Sequence, residues 1–151
     1  MKLTPIKINL FTLFKLPSAF ICGVRVKSIN DLVCITSIRL NWLNKNPFKS
    51  LFWAVQGMAA ELATGALVMK YIKESGENIS MLVANNNANF SKKATGRINF
   101  TCSDGQLINK AINKAIVTGE GQTCWMSSKG MNQDGVEVSH FNFEWTIKVK
   151  N

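Results

Sequence analysis

Glu61 stands in the middle of a long apolar stretch, with Gly57 and Gly65 one helical turn before and after it and Ala60 and Thr64 beside it. A carboxylate among Ala, Met and Leu side chains is expected to hold its proton more tightly than in water, because burial disfavours the charged form. That suits a general base, or a nucleophile on an activated carbonyl. The small neighbours leave room for a substrate. The same pattern also fits a buried glutamate bonded to Thr64, to a polar group on a strand or across a dimer interface, the small residues simply letting a sheet pack close. Lys92, Lys93 and Arg97 are expected together on a loop as the one basic cluster. Such charges pair well with phosphate, and a solvated hairpin end carries the same residues. Asn46, ahead of Pro47, is either a plain helix cap or a group that orients a water or a carbonyl. His140 is the only histidine. It has no Ser, Cys or Asp at triad spacing and fits a structural role.

Other chemistries are disfavoured. Cys22, Cys34, Cys102 and Cys124 form no CxxC pair, and with one histidine they argue against a zinc site. Cys34, Cys102 and Cys124 fall in apolar strand patterns and are expected to be buried, reduced thiols, which points to a cytoplasmic address. The net charge is +9 and the pI near 9.6. A basic surface that aids solubility, an anionic ligand and nucleic acid all fit that balance. The basic residues are scattered, and no run reaches the roughly five to eight that mark a nucleic-acid tract. No nucleic-acid partner is expected. With 151 residues, 46% of them hydrophobic and 18% charged, the chain fits one globular domain.

Two segments imitate membrane signals. Residues 8–24 follow Lys2 and Lys7 as a signal peptide would, but Lys15 and Pro17 break the apolar run and no A-x-A site follows. Ile21 precedes Cys22 where a lipoprotein box needs a small residue. Residues 51–72 are apolar enough to span a bilayer, but Glu61 near their centre would cost about 2.5–3.5 kcal/mol there. No membrane span is expected.

Thr4-Pro5 signals a helix start and Leu16-Pro17 its end. Residues 23–29 alternate as a strand. A second strand carries Val33, Ile35, Ile38, Leu40 and Trp42, with a β-bulge expected at Thr36-Ser37, where the alternation slips. Asn46-Pro47 opens the next element. Residues 51–72 form a helix, apolar almost all round and closed by Ser75-Gly76, which must be buried on most sides. Strands are expected at 79–84, 95–103 and 123–129, with Asn85–Asn89 either a polar strand end or a loop. Ser103-Asp104-Gly105-Gln106 offers a capping box for a helix that stops at Gly119. Asn132–Gly135 is a turn. In the last strand Phe141, Phe143, Trp145, Ile147 and Val149 face the core. Without a βαβ rhythm, the fold class is α+β with an antiparallel sheet curved round the long helix. Residues 1–22 form an N-terminal helical segment packed on a single domain, 23–151. A sheet edge and the polar side of the long helix need cover, so a homodimer, or a tetramer built from dimers, is expected.

The segment from Asn46 to Gly65, NPFKSLFWAVQGMAAELATG, resembles the loop and helix start of hotdog-fold thioesterases of the phenylacetate-pathway type. It is more similar still to an uncharacterised branch of that superfamily with an N-terminal helix and this strand order. NFSKKATGRINF, residues 89–100, is similar to the strand pair that follows. The resemblance covers roughly Leu16 to Lys150. Asn46 matches the family's Asn, Ser50 stands at its Thr, and Glu61 matches its acidic residue. Leu51 or Phe52 stands at its His, and Trp53 and Ala54 at its paired glycines. The resemblance implies a hotdog fold and hydrolysis of an acyl-CoA or related thioester, coenzyme A entering as part of the substrate and no separate cofactor. It implies Glu61 and Asn46 as catalytic residues, with Trp53, Ala54, Gly57, Thr64, Lys92, Lys93 and Arg97 in contact with substrate. In the family, a backbone N–H at this helix start polarises the thioester carbonyl. Loss of the His and glycines fits the alternative of an acyl-binding protein without turnover.

Overall fold

The apolar run that follows Phe52 forms α3, Trp53–Ser75, a helix of 23 residues and roughly 35 Å. Gly76, in the left-handed conformation at φ 72°, ends it. The computed structural model describes residues 2–151. Before α3 come α1 (Pro5–Lys15), α2 (Pro17–Ile21), β1 (Arg25–Ile29) and β2 (Cys34–Arg39). After it come β3 (Ile79–Phe90), β4 (Arg97–Cys102), α4 (Gly105–Thr118), β5 (Gln122–Met131) and β6 (Glu137–Val149). The strands make one six-stranded sheet in the order β1-β2-β4-β5-β6-β3, every neighbouring pair antiparallel.

The core lies between the sheet's inner face and α3. Ile98, Phe100 and Cys102 of β4, Met126 of β5, and Phe141, Phe143, Trp145 and Ile147 of β6 are buried there, against Ala59, Ala60, Ala63, Ala66 and Leu67 of the helix. Two polar bonds fix the helix within this apolar layer. The Thr36 hydroxyl donates to the Ala59 carbonyl at 2.7 Å, and the Trp145 indole N–H donates to Thr64 Oγ1 at 2.9 Å. Lys70, near the end of α3, is 1% exposed. Its ammonium reaches Asp31, between β1 and β2, at 2.8 Å and Glu74, one turn on, at 2.8 and 2.9 Å. Burial works against its charge, but both carboxylates outweigh that and hold its pKa above the usual range.

Several local expectations need correction. The Thr36-Ser37 slip is not a bulge: both residues are buried in regular pairing with β4, and the irregularity lies in β1, between Val26 and Ser28. Thr36 is held by α3 and Ser37 accepts from Arg97, so a hydroxyl is satisfied on each face. The strand stops at Arg39, leaving Leu40–Trp42 in a loop. Asn46-Pro47 opens no helix. The capping box fails, because Asp104 Oδ2 accepts from the Ser127 N–H at 2.7 Å and ties the helix start to β5 instead. Gly105 is required there: a Cβ would fall within van der Waals overlap of the Asp31 carbonyl. Asn85–Asn89 continue β3 as its polar end. Cys34, Cys102 and Cys124 are buried and unpaired. Burial pushes the first two thiols up to about 12 and the third to about 11, which leaves them unreactive.

The two sheet edges differ. At β1, the Asn9 side chain of α1 exchanges both hydrogen bonds with Val26, at 2.8 and 3.0 Å, and so supplies part of a missing strand. At the other end, β3 is long and carries no partner on its outer side.

Candidate active site

The site begins in the loop that delivers the chain to α3. Asn44, buried, donates to the Cys22 and Arg39 carbonyls and accepts from the Asn41 N–H, while its own carbonyl accepts from the Phe52 N–H. Asn46 Oδ1 accepts from the N–H groups of Phe48 and Ser50, and its amide contacts the Ser50 hydroxyl at 3.0 Å. The turn passes through Lys49 at φ 63°. Asn46 is thus neither a helix cap nor a free amide; its polar atoms are spent closing this turn. The loop is tied to the next one by the Leu51 N–H, which donates to the Ala94 carbonyl at 2.9 Å.

These two loops and the first turn of α3 enclose a cleft of about 570 Å³. Phe48, Phe52, Trp53 and Phe90 give it apolar walls, and Lys92 and Lys93 stand on its rim beside Asn46. Gln56 closes one wall. Its side chain is 4% exposed; Nε2 faces the Leu51 carbonyl at 3.4 Å, and Oε1 has no partner. A buried acceptor left unpaired is costly. Gln56 is absent from the residues marked out by sequence. The available signal is a lone amide at the start of a helix apolar on nearly every side.

Glu61 lies two turns into α3 on a different face. One strip of the helix stays partly open: Trp53, Ala54, Gly57, Met58 and Glu61. Among the described residues the Glu61 side chain has no hydrogen-bond partner, and its pKa is raised above the usual carboxylate value by burial. A Cβ on Gly65 would lie 3.5 Å from Glu61 Oε1 and 3.2 Å from the Trp145 ring, so the glycine gives both groups their space. At the N-terminal end of the strip, Val55 and Gln56 donate to the Phe52 carbonyl, but the N–H groups of Trp53 and Ala54 have no partner. The Trp53 indole is 60% exposed and lies edge-on to Phe52, outside the core.

The sequence-marked residues therefore divide. Asn46, Trp53, Lys92 and Lys93 line the cleft; Ala54, Gly57 and Glu61 lie along the open strip. Thr64 is fully buried, donating to the Glu61 carbonyl and accepting from Trp145, with no surface to offer a ligand. Arg97 does not join the two lysines on a loop. It begins β4 and donates to Ser37 at 3.0 Å. His140 sits in β6 beside Glu137, at 3.6 Å, and does not line the cleft.

An antiparallel sheet curved round one long helix is the hotdog fold. The chain belongs to the family described as "Domain of unknown function (DUF4442)", which it matches over residues 8–147. A Chlorobaculum tepidum protein of unknown function shares the fold at a TM-score of 0.83 and 20% identity, with 99% of each chain covered. A Pseudomonas aeruginosa protein described as a probable thioesterase matches at 0.82 and 16%, again over 99% of each. A Haemophilus influenzae thioesterase matches at 0.72 and 11%, over 99% of this chain and 93% of its own. No curated protein matches the sequence. No helix among the described residues is long and apolar enough to cross a membrane.

Proposed function

We propose that this chain hydrolyses the thioester of an acyl-CoA, or of a related pantetheine-bound acyl group, with Glu61 as general base. The observation that carries this reading is the Glu61 carboxyl itself. It is partly open, free of protein hydrogen bonds and pushed up by burial, two turns along a helix whose first N–H groups are unspent. Water gives a proton to the Glu61 carboxylate as its oxygen adds to the thioester carbon. The carbonyl oxygen takes the negative charge beside N–H groups at the start of α3; because Trp53 and Ala54 lie roughly 10–12 Å along the axis from Glu61, these come from the second copy of the chain. The adduct then collapses, the carbon–sulfur bond breaks, and the departing sulfur takes the proton back from Glu61. The products are a free acid and a thiol. Coenzyme A enters as part of the substrate.

The cleft suits the carrier. Lys92 and Lys93 would meet phosphate at its rim. The thioesterase names of two similar folds support the reaction class. The working unit is a homodimer: a second copy pairing along β3 would satisfy that open edge and cover the Trp53–Glu61 strip.

One observation favours a second reading, acyl-group binding without turnover: the cleft ends at Gln56 and Glu61 does not line it. Thiol release from a panel of acyl-CoAs separates the two. Glu61→Gln is expected to lower turnover by roughly 10²–10³-fold while binding persists. Undiminished hydrolysis in the variant would remove Glu61 from the mechanism. Saturable binding by the wild-type chain with no thiol released would establish the second reading.

A further inference from the structure

Helix α1 has two apolar faces, and the fold uses one. Ile8 and Thr12 are buried toward the domain. Ile6, Leu10, Leu13 and Phe14, spaced i, i+4, i+7, i+8, lie on the opposite face. They point to solvent, with Ile6 81%, Leu10 56% and Phe14 71% exposed. A contiguous outward stripe of large aliphatic and aromatic side chains is uncommon on a free soluble surface and marks a contact.

The charge around the stripe identifies the contact. Lys2, Lys7, Lys15, Arg25 and Lys27 all precede the first acidic residue of the chain, Asp31. Lys7 borders the stripe beside Phe14, Lys15 follows at the end of the helix, and both are exposed. On the other side, the Arg25 guanidinium lies 3.4 Å over the Phe20 ring and shares a surface hollow with Ile6, Leu10 and Leu13. Asp31 is already engaged by Lys70. An apolar face bordered by cations complements a surface that is apolar beneath and anionic above. A second copy joined along β3 would leave it bare, since α1 packs on β1, at the far end of the sheet.

We infer that the outward face of α1 docks this protein on an anionic lipid surface, Ile6, Leu10, Leu13 and Phe14 entering the acyl boundary and Lys7, Lys15 and Arg25 meeting the headgroups. This is peripheral attachment, distinct from any span. It does not depend on the thioesterase reading.

Co-sedimentation of the full chain with vesicles tests it, using phosphatidylcholine alone and phosphatidylcholine mixed with phosphatidylglycerol. Binding is expected to the mixed vesicles, weakened by added salt, and far less to phosphatidylcholine alone. Leu10→Glu with Phe14→Glu is expected to weaken binding by more than roughly tenfold, and Lys7→Glu with Lys15→Glu to remove its salt dependence. All four side chains are exposed, so melting temperatures should hold. Absence of binding to mixed vesicles, or binding indifferent to both pairs, overturns the proposal. So does a change of oligomeric state in Leu10→Glu/Phe14→Glu, because the face would then be a protein interface.

Discussion

Glu61 sits at a cost to the fold. Burial raises its folded pKa above the ordinary 4.5, so the folded state favours the neutral acid. The stability this group supplies is complete below 4.5 and is lost as pH rises through the raised value. Glu61→Gln should therefore melt higher than wild type at neutral pH. The difference should shrink toward zero below pH 4.5, as thermal scans across pH would register. A stabilised variant with lost turnover is the expected trade at a catalytic carboxyl. Equal melting at all pH values would mean that the side chain is fully hydrated. Gln56 is the polar counterpart: its acceptor is buried and unpaired in the fold.

At the scale of elements, α3 is located by its two ends. Lys70 pins the far end to the β1–β2 turn. Lys70→Ala, losing a buried stem and its bonds, should cost about 2–3 kcal/mol in urea unfolding. Asp31 is held below its ordinary 3.8, first by the hydrogen bond from Lys70. Its share of stability is present above that value and lost as pH falls through the depressed one. The variant should lose this part of the acid sensitivity. Much of this layer is legible in the chain. Gly76 and Gly119 stop helices through a local backbone preference, and the period-two pattern of β6 needs no partner to be read. The failures share a cause. Thr36-Ser37, Asp104 and Asn46 are satisfied by residues distant in sequence or by a turn, so spacing alone misassigns them. Glu61 is visible because it interrupts an apolar run. That Arg97 parts from Lys92 and Lys93 depends on how the strands register. That is decided by tertiary packing.

At the scale of the molecule, the open β3 edge and the partly open strip of α3 ask for a second copy. Light scattering at micromolar concentration is expected to give a dimer, and Leu82→Glu, on the face of β3 that is exposed, to weaken it. A stable monomer would leave the strip uncovered and the shared-site arrangement without its second wall. A dimer built on β3 would lie at the opposite end of the sheet from the α1 stripe, so assembly and surface attachment should respond to separate substitutions.

The central claim is that a desolvated, unpartnered carboxylate on α3 takes the proton of the attacking water. The most direct measurement pairs the pH dependence of kcat/KM for acyl-CoA hydrolysis with the carbon-13 titration of the Glu61 carboxyl. The rate should rise with pH along a limb displaced above 4.5, with its midpoint at the Glu61 titration, and the limb should vanish with the activity in Glu61→Gln. A rate that keeps its magnitude and its acid limb in the variant would contradict the account.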